Sequence, residues 1–210
     1  MSERSEPVLM IVDGGLESLI AAMLLDRSGA VRAWYVGAGA EDSPLRRAAA
    51  ELQADILGVD TIHNPRTPPE TWGSLPGGFG ESAMLLEAVA EALRTRCARV
   101  IWPRTTNGDL DSMTDASDRA LLVARLGLIE STRTQSLDIR IDTPLLDLSQ
   151  KQLADLAVDM DAPVWSVWWA LPEAMDHPEA ERARSRWLTL LRGAGGERLL
   201  NRPHTQPAAV

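Results

Sequence analysis

One cysteine, Cys97, and one lysine, Lys151, occur in a chain of 210 residues. A single cysteine excludes an intramolecular disulfide and any zinc site built from clustered cysteines. The shortage of lysine is not a shortage of cations: Lys and Arg together number 21, nearly all of them Arg. Acids outnumber them at 30, giving a net charge of −9 and an isoelectric point near 4.9. That balance speaks against a broad nucleic-acid face, which needs clustered positive charge. No apolar run is long enough to span a bilayer, so no membrane partner is expected. The opening Met1-Ser2-Glu3-Arg4-Ser5-Glu6 lacks the apolar core of a secretory signal, and the cytoplasm is the expected location. Internal repeats and low-complexity tracts are absent too.

What is present is ordinary for a globular protein: 45% hydrophobic and 24% charged residues. The length suits one well-cored α/β domain, or one domain with a small appendage. The stretch around which the chain is organised is Val12-Asp13-Gly14-Gly15-Leu16-Glu17-Ser18. An apolar run, residues 8–12, stops at two glycines, and a helical pattern starts at Leu16 and continues through Leu19, Ile20, Met23 and Leu24. A strand, a tight turn and a helix follow from this. Glycine lets backbone approach a ligand closely, and a helix start aims N–H groups and its positive dipole end at an anion. The same turn also occurs as a plain connection between strand and helix.

Taken in order, Gly29 is an expected helix C-cap, residues 31–36 read as a second strand, and residues 37–40 as a loop. Ser43-Pro44 opens a helix to about Ala54, with Ser as N-cap and Pro in the first turn. Residues 56–59 read as a third strand. Proline and glycine crowd residues 61–80, which predicts a long loop across the ligand edge of the sheet. A helix over 81–96, a strand over 99–102, a polar segment 105–111, a helix over 115–126 and a strand over 137–141 follow. Ser149 and Gln152 form a capping box for a helix ending near Met160. Strands alternating with helices predict a doubly wound, mostly parallel α/β sheet, with ligands bound beyond the carboxyl ends of its strands. The expected division is an α/β domain over 1–162, a C-terminal helical extension over 163–202 and a frayed tail over 203–210.

These motifs resemble those of the PP-loop ATP pyrophosphatases, and within them the 7-cyano-7-deazaguanine synthases. Gly14-Gly15-Leu16-Glu17-Ser18 is similar to the family's Ser-Gly-Gly-x-Asp-Ser loop. Leu75-Pro76-Gly77-Gly78 resembles its Pro-Gly-Arg-Asn turn. Thr106-x-x-Asp109, followed by Met113-Thr114-Asp115, resembles its Asn-x-x-Asp and Tyr-Pro-Asp pair. Thr143-Pro144-Leu145-Leu146-Asp147-Leu148-Ser149, with Trp165-Ser166 downstream, resembles its Pro-Leu-x-x-Leu-Ser and Trp-Ser-Cys segments. The order is kept from about residue 8 to 168.

The resemblance implies an adenine nucleotide alpha-hydrolase-like fold and ATP-dependent adenylation of a carboxyl group, followed by amide and then nitrile formation. It implies ATP and Mg²⁺ as cofactors, a deazapurine-like small-molecule substrate, and a homodimer. A carboxylate is a poor electrophile until it gains a phosphate leaving group, and the growing charge must be held by N–H donors, hydroxyls and Mg²⁺. On this basis Asp13, Gly14, Gly15, Leu16 and Ser18 are the expected nucleotide-binding residues, with Gly14, Gly15 and Ser18 cradling phosphate. Glu17, Asp109 and Asp115 are the expected catalytic residues. Glu17 stands where the family places its Asp, facing the metal or supporting it, and Asp109 and Asp115 lie at the substrate edge.

The sequence departs from the family in three places. The family's zinc is held by four cysteines, the first after Trp-Ser, where this chain has Val167 and no cysteine beyond it. No zinc is expected, and an apolar plug around Trp165, Trp168 and Trp169 is the expected replacement. Asp13 replaces a small hydroxyl residue beside the phosphate, where a carboxylate ~4 Å from a phosphate charge costs ~4 kcal/mol at an effective dielectric of 20. Micromolar binding is only about −8 kcal/mol, so one such clash removes half of it. Gly77 and Gly78 replace the family's Arg and Asn.

Each candidate also has a purely structural explanation. Asp13 serves equally well as a helix cap, and Glu17 as an acid in a helix's first turn. Asp109, Asp111, Asp115 and Asp118 fit a solvated loop and a second helix cap. The tryptophans fit a core or dimer interface as well as a base-stacking platform. His63, His177 and His204 are scattered, Lys151 faces solvent, and Cys97 fits buried packing. Two functions therefore stand side by side: a working ligase of the deazaguanine type, or a degenerate relative that binds or regulates without turnover. An unrelated flavodoxin-like binder is the third.

Overall fold

The computed structural model describes residues 6–25, 30–35, 43–62, 79–132 and 138–201. Gly29, the 37–40 loop, the Leu75-Pro76-Gly77-Gly78 turn, His63, His204 and the 203–210 tail lie outside the described residues. Five strands, β1 (Val8–Val12), β2 (Val31–Tyr35), β3 (Asp60–Ile62), β4 (Arg99–Ile101) and β5 (Arg140–Asp142), form one sheet in the order β3-β2-β1-β4-β5. Every pairing is parallel, with Val8 against Val31 on one side and Arg99 on the other. Six helices of two turns or more are described: α1 (Leu16–Leu24), α2 (Ser43–Leu57), α3 (Phe79–Thr95), α4 (Leu110–Thr132), α5 (Gln150–Asp159) and α6 (Pro178–Gly193).

The central strand explains the layering. All five residues of β1 are buried, as a strand covered on both faces must be. Its side chains alternate: Val8, Met10 and Val12 meet α1, α2 and α5, while Leu9 and Ile11 meet α3 and α4. The sheet is thus doubly wound, and the chain changes faces between β1 and β4. That is where an open α/β sheet leaves a crevice at its carboxyl edge.

Several boundaries differ from the sequence reading. The third strand is not at 56–59: α2 runs on to Leu57, because Ala50, Ala54 and Leu57 continue its buried stripe. Gly58, at φ +63°, then ends the helix, with its N–H on the Asp55 carbonyl and the Val59 N–H on Ala54. The fourth helix begins at Leu110, five residues earlier than Asp115, and continues to Thr132. The first helix ends at Leu24 with Leu25 as its cap, before Gly29 is reached. The capping box is as expected: the Ser149 hydroxyl accepts the Gln152 N–H at 3.2 Å, and Gln152 Oε1 accepts the Ser149 N–H at 2.9 Å.

After α5 the chain makes three 3₁₀ turns, Val164–Ser166, Trp168–Ala170 and Pro172–Ala174, before α6. Val164, Val167, Trp168, Trp169, Trp187 and Leu199 share one core with β1 and α1. Val167, where the resemblance would place a zinc cysteine, is fully buried in it. Apolar contact holds this segment, at roughly 1.5–3 kcal/mol for each large side chain buried. Among the described residues no helix is long and apolar enough to cross a membrane.

Candidate functional site

The loop after β1 is built on its two glycines for different reasons. Gly14 has φ +73°, and a Cβ there would meet the Arg46 carbonyl oxygen at 2.3 Å. Only glycine fits. Gly15 is extended, and a Cβ on it would come within 2.9 Å of Asp13 Oδ1. The close approach that the sequence reserves for a ligand is therefore made by the chain's own carboxylate.

Asp13 Oδ1 accepts the Gly15 N–H at 2.8 Å and the Ser18 hydroxyl at 3.0 Å, and Oδ2 accepts from Arg46 at 3.3 Å. Asp13 is not the helix cap, because Gly15 occupies that position with no side-chain capping bond. Arg46 in turn lies over the ring of Trp168, 4.1 Å from its centroid, a cation–π contact that fixes the guanidinium. The Trp168 backbone N–H donates to the Gly14 carbonyl at 2.9 Å, and buried Gln53 Nε2 donates to the same oxygen at 3.2 Å and to Ser166 at 3.4 Å. A carbonyl has two lone pairs, and here both are used. The loop is thus clamped from α2 and from the C-terminal segment.

Beside it, beyond the carboxyl ends of β1 and β4, opens a cleft of about 420 Å³. Asp13, Gly15, Leu16 and Glu17 line it from the first loop and helix, and Trp102, Arg104 and Thr105 from the segment after β4. Trp168, Trp169, Arg186 and Trp187 come from the C-terminal segment, and Arg46 and Glu81 from α2 and α3. Four tryptophans border the cleft, each at most 5% exposed, and six charged side chains share the lining with them, so its character is mixed rather than apolar. The charges are balanced. Arg46 pairs with Asp13, and Arg104 with Glu81.

Two donors in the wall are unsatisfied. Trp169 Nε1 and Arg104 Nε are buried without an acceptor among the described residues. Buried donors are nearly always partnered, and leaving one unpaired costs about 1–3 kcal/mol. Glu17, partly buried in the same wall, has its carboxyl pushed up to about 7, first by desolvation and then by the negative charge of Asp13. Arg186 and Arg46 pull the other way, less strongly.

The structure gathers Asp13, Gly15, Leu16 and Glu17 on the cleft, with Gly14 and Ser18 directly behind them. It does not bring Asp109 or Asp115 there. Asp109 is the residue before α4 and accepts the Ser112 N–H at 3.1 Å as well as the Ser112 hydroxyl, contacts that hold its carboxyl below the usual range, the hydroxyl first. Asp115 is exposed on α4. The polar segment before α4 is a staple instead: the Thr106 hydroxyl donates to Leu146 at 2.8 Å, and Asn107 Oδ1 accepts the Gln150 N–H at 3.0 Å.

No protein-family model matches the sequence, and no curated protein does. Among solved structures the chain is similar to the U34-tRNA thiolase NcsA from Methanococcus maripaludis, described with its 4Fe-4S cluster. Identity is 16%, the match covers 98% of this chain and 75% of that one, and the TM-score is 0.49. A likeness of that degree says nothing of what the cleft binds.

Sequence reasoning missed Arg46, Gln53, Glu81, Arg104, Arg186 and Trp187. Arg46 and Gln53 lie seven positions apart on α2, a spacing that puts them on one helix face, and that was the available signal. The others come together only through the crossover from β3 to β4 and the return of α6.

Proposed function

We propose that this protein is a PP-loop-type binding protein that takes a planar, deazapurine-like base in the tryptophan-lined cleft and does not turn over ATP. The observation that carries this reading is the pair of hydrogen bonds from the Gly15 N–H and the Ser18 hydroxyl to Asp13. Those donors are the ones a triphosphate needs, and Asp13 both occupies them and adds a like charge. A triphosphate does not fit the loop with Asp13 in place. The base half of a ligand is treated differently: tryptophan edges mixed with Arg104, Thr105 and Arg186 along the cleft suit a heterocycle with ring nitrogens or carbonyls.

Tryptophan fluorescence tests this directly, because four of the chain's seven tryptophans line the cleft. Titration with free 7-deazaguanine should quench and shift the emission saturably, and Arg104→Ala should weaken the effect. A spectrum unmoved at millimolar base would rule out base binding.

A second reading, ATP-dependent carboxyl activation of the 7-cyano-7-deazaguanine synthase kind, is favoured by one feature. Glu17 keeps a carboxylate on the cleft next to Asp13. Mg²⁺ is commonly bound through one or two carboxylates plus substrate phosphates. Such a pair is the limit of what these residues offer, since no group of three metal-ligating side chains occurs among the described residues. Turnover on this reading requires Asp13 to leave Gly15 and Ser18. Release of pyrophosphate from ATP in the presence of a deazapurine carboxylic acid would support it over the first.

A further inference from the structure

A groove of about 390 Å³ lies away from the cleft, between α4 and β5. It is open because α4 turns small side chains, Ser117, Ala120 and Ala124, toward the strand at helical spacing, leaving a space that larger ones would fill. Ile139 and Ile141 close its strand side, on the face of the sheet that α4 covers. Leu121 and Leu128 also line it, 61% and 39% exposed. β5 ends the sheet order, and no strand lies beyond it among the described residues. The Arg140 N–H donates to Ala98 at 3.0 Å and the Asp142 carbonyl accepts from Trp102 at 2.9 Å, so both residues bond inward, toward β4. By strand alternation the Ile141 N–H and carbonyl between them point outward, to the open edge.

An apolar groove beside an outward-facing backbone donor and acceptor is what an added strand requires: main-chain bonds along the edge, and room for alternate side chains. A docked helix, its own backbone bonds already made, would leave the Ile141 groups to water. Charge decides the remaining chemistry. Arg125 and Arg140 both line the groove, against one acid, Asp138. Arg125 has no ion pair among the described residues, and Arg140 has only long contacts, to Glu6 at 3.8 Å and Asp142 at 3.9 Å. The groove is thus locally positive on a chain of net charge −9. Arg140 alternates with Ile141, so the residue beside it on an added strand lies on the face away from α4. We propose that the α4–β5 groove takes an extended segment of a partner protein, added as a strand beside β5, in which apolar residues facing Ala120 and Ala124 alternate with acidic residues facing Arg140. This does not depend on what the cleft binds.

β5 is three residues long, which allows few backbone bonds. Binding is therefore weak, with a dissociation constant of about 0.1 mM or higher. The probe is the peptide acetyl-Val-Glu-Val-Glu-Val-amide, titrated to about 5 mM into the isotope-labelled full chain, enough to approach saturation at that strength. Amide resonances of Ile141 and its neighbours should shift, and hydrogen exchange at the Ile141 N–H, fast in the free protein, should slow. Methylating the valine nitrogens and methylating the glutamate nitrogens should differ: one abolishes binding and the other spares it, because only alternate N–H groups face β5. Lys in place of Glu in the peptide, or Arg140→Glu in the protein, should each weaken binding about threefold to tenfold, and the two changes together should restore it. Arg140 is exposed, and a thermal melt should confirm that its variant folds. No shift at the highest concentration, shifts centred elsewhere, equal effects of the two methylations, or indifference to the charge exchanges overturns the proposal. So does an Ile141 N–H already protected in the free protein, the result expected if this chain's own residues or a second copy cover the edge.

Discussion

Trp168 donates its backbone N–H to the Gly14 carbonyl at 2.9 Å, while its ring carries the Arg46 guanidinium that reaches Asp13. Through that residue the C-terminal segment holds the first loop and its anion-like carboxylate in one arrangement. The Gly15 N–H and the Ser18 hydroxyl both point at the chain's own Asp13 carboxylate.

Trp168→Ala removes a buried ring, the Arg46 stack and the packing of neighbouring Val167. Large aromatic truncations in cores cost about 3–5 kcal/mol, so the urea midpoint should fall steeply. A change below about 1 kcal/mol, the scale of a surface substitution, would mean the ring carries none of the clamp.

The two glycines should differ in tolerance. Gly14→Ala faces both a positive φ and a backbone oxygen 2.3 Å from the new Cβ, and neither can move cheaply. Loss of most of the folded protein is expected, read as soluble yield and melting temperature. Gly15→Ala meets only the Asp13 carboxylate, a side chain that can turn away. It should fold, with its loss held to about 1–2 kcal/mol, the worth of one or two hydrogen bonds. Equal effects would contradict the geometry.

Glu17 sets a pH dependence whose sign follows from its carboxyl sitting at about 7 in the folded chain against an ordinary 4.5. Between those values the folded state keeps a proton that the unfolded chain has released. Stability therefore falls as pH rises from 4.5 and levels off above about 7. The loss is on the order of 3 kcal/mol at most. Glu17→Gln should flatten that slope and melt higher than the parent at pH 8, a pH above the raised value. Parallel melting curves for the two proteins from pH 5 to 8, the interval that brackets the shift, would refute the shift.

Ser149→Ala deletes half of the capping box that starts α5. The expected cost is about 1 kcal/mol, read from chemical denaturation, with no effect on the cleft. A cost above about 3 kcal/mol would show the cap supporting more than its own helix.

Much of the fold was legible because periodicity and caps are local. Residues 8–12 as a buried strand, the helix from Leu16, and the Ser149 capping box all rest on neighbours in sequence. The α2 to β3 boundary was misplaced because Ile56 and Leu57 suit a strand by composition. What decides is Gly58, whose positive φ ends the helix after them. The start of α4 was set too late because Asp109 looked like site chemistry, while its bond to the Ser112 N–H makes it a cap. The site was half visible. The glycine loop pointed to an anion, but which anion depends on Asp13 folding back onto Gly15. Arg46 and Trp168, which arrive from distant parts of the chain, support that position of Asp13.

Isothermal titration with ATP–Mg²⁺, on the parent protein and on Asp13→Ser, tests the central claim most directly. The closed loop predicts no measurable binding by the parent at millimolar nucleotide. In Asp13→Ser, binding should strengthen by at least about tenfold, even after discounting the ~4 kcal/mol repulsion for the partial exposure of Asp13. Micromolar binding by the parent, or an affinity that the substitution leaves unchanged, would contradict it.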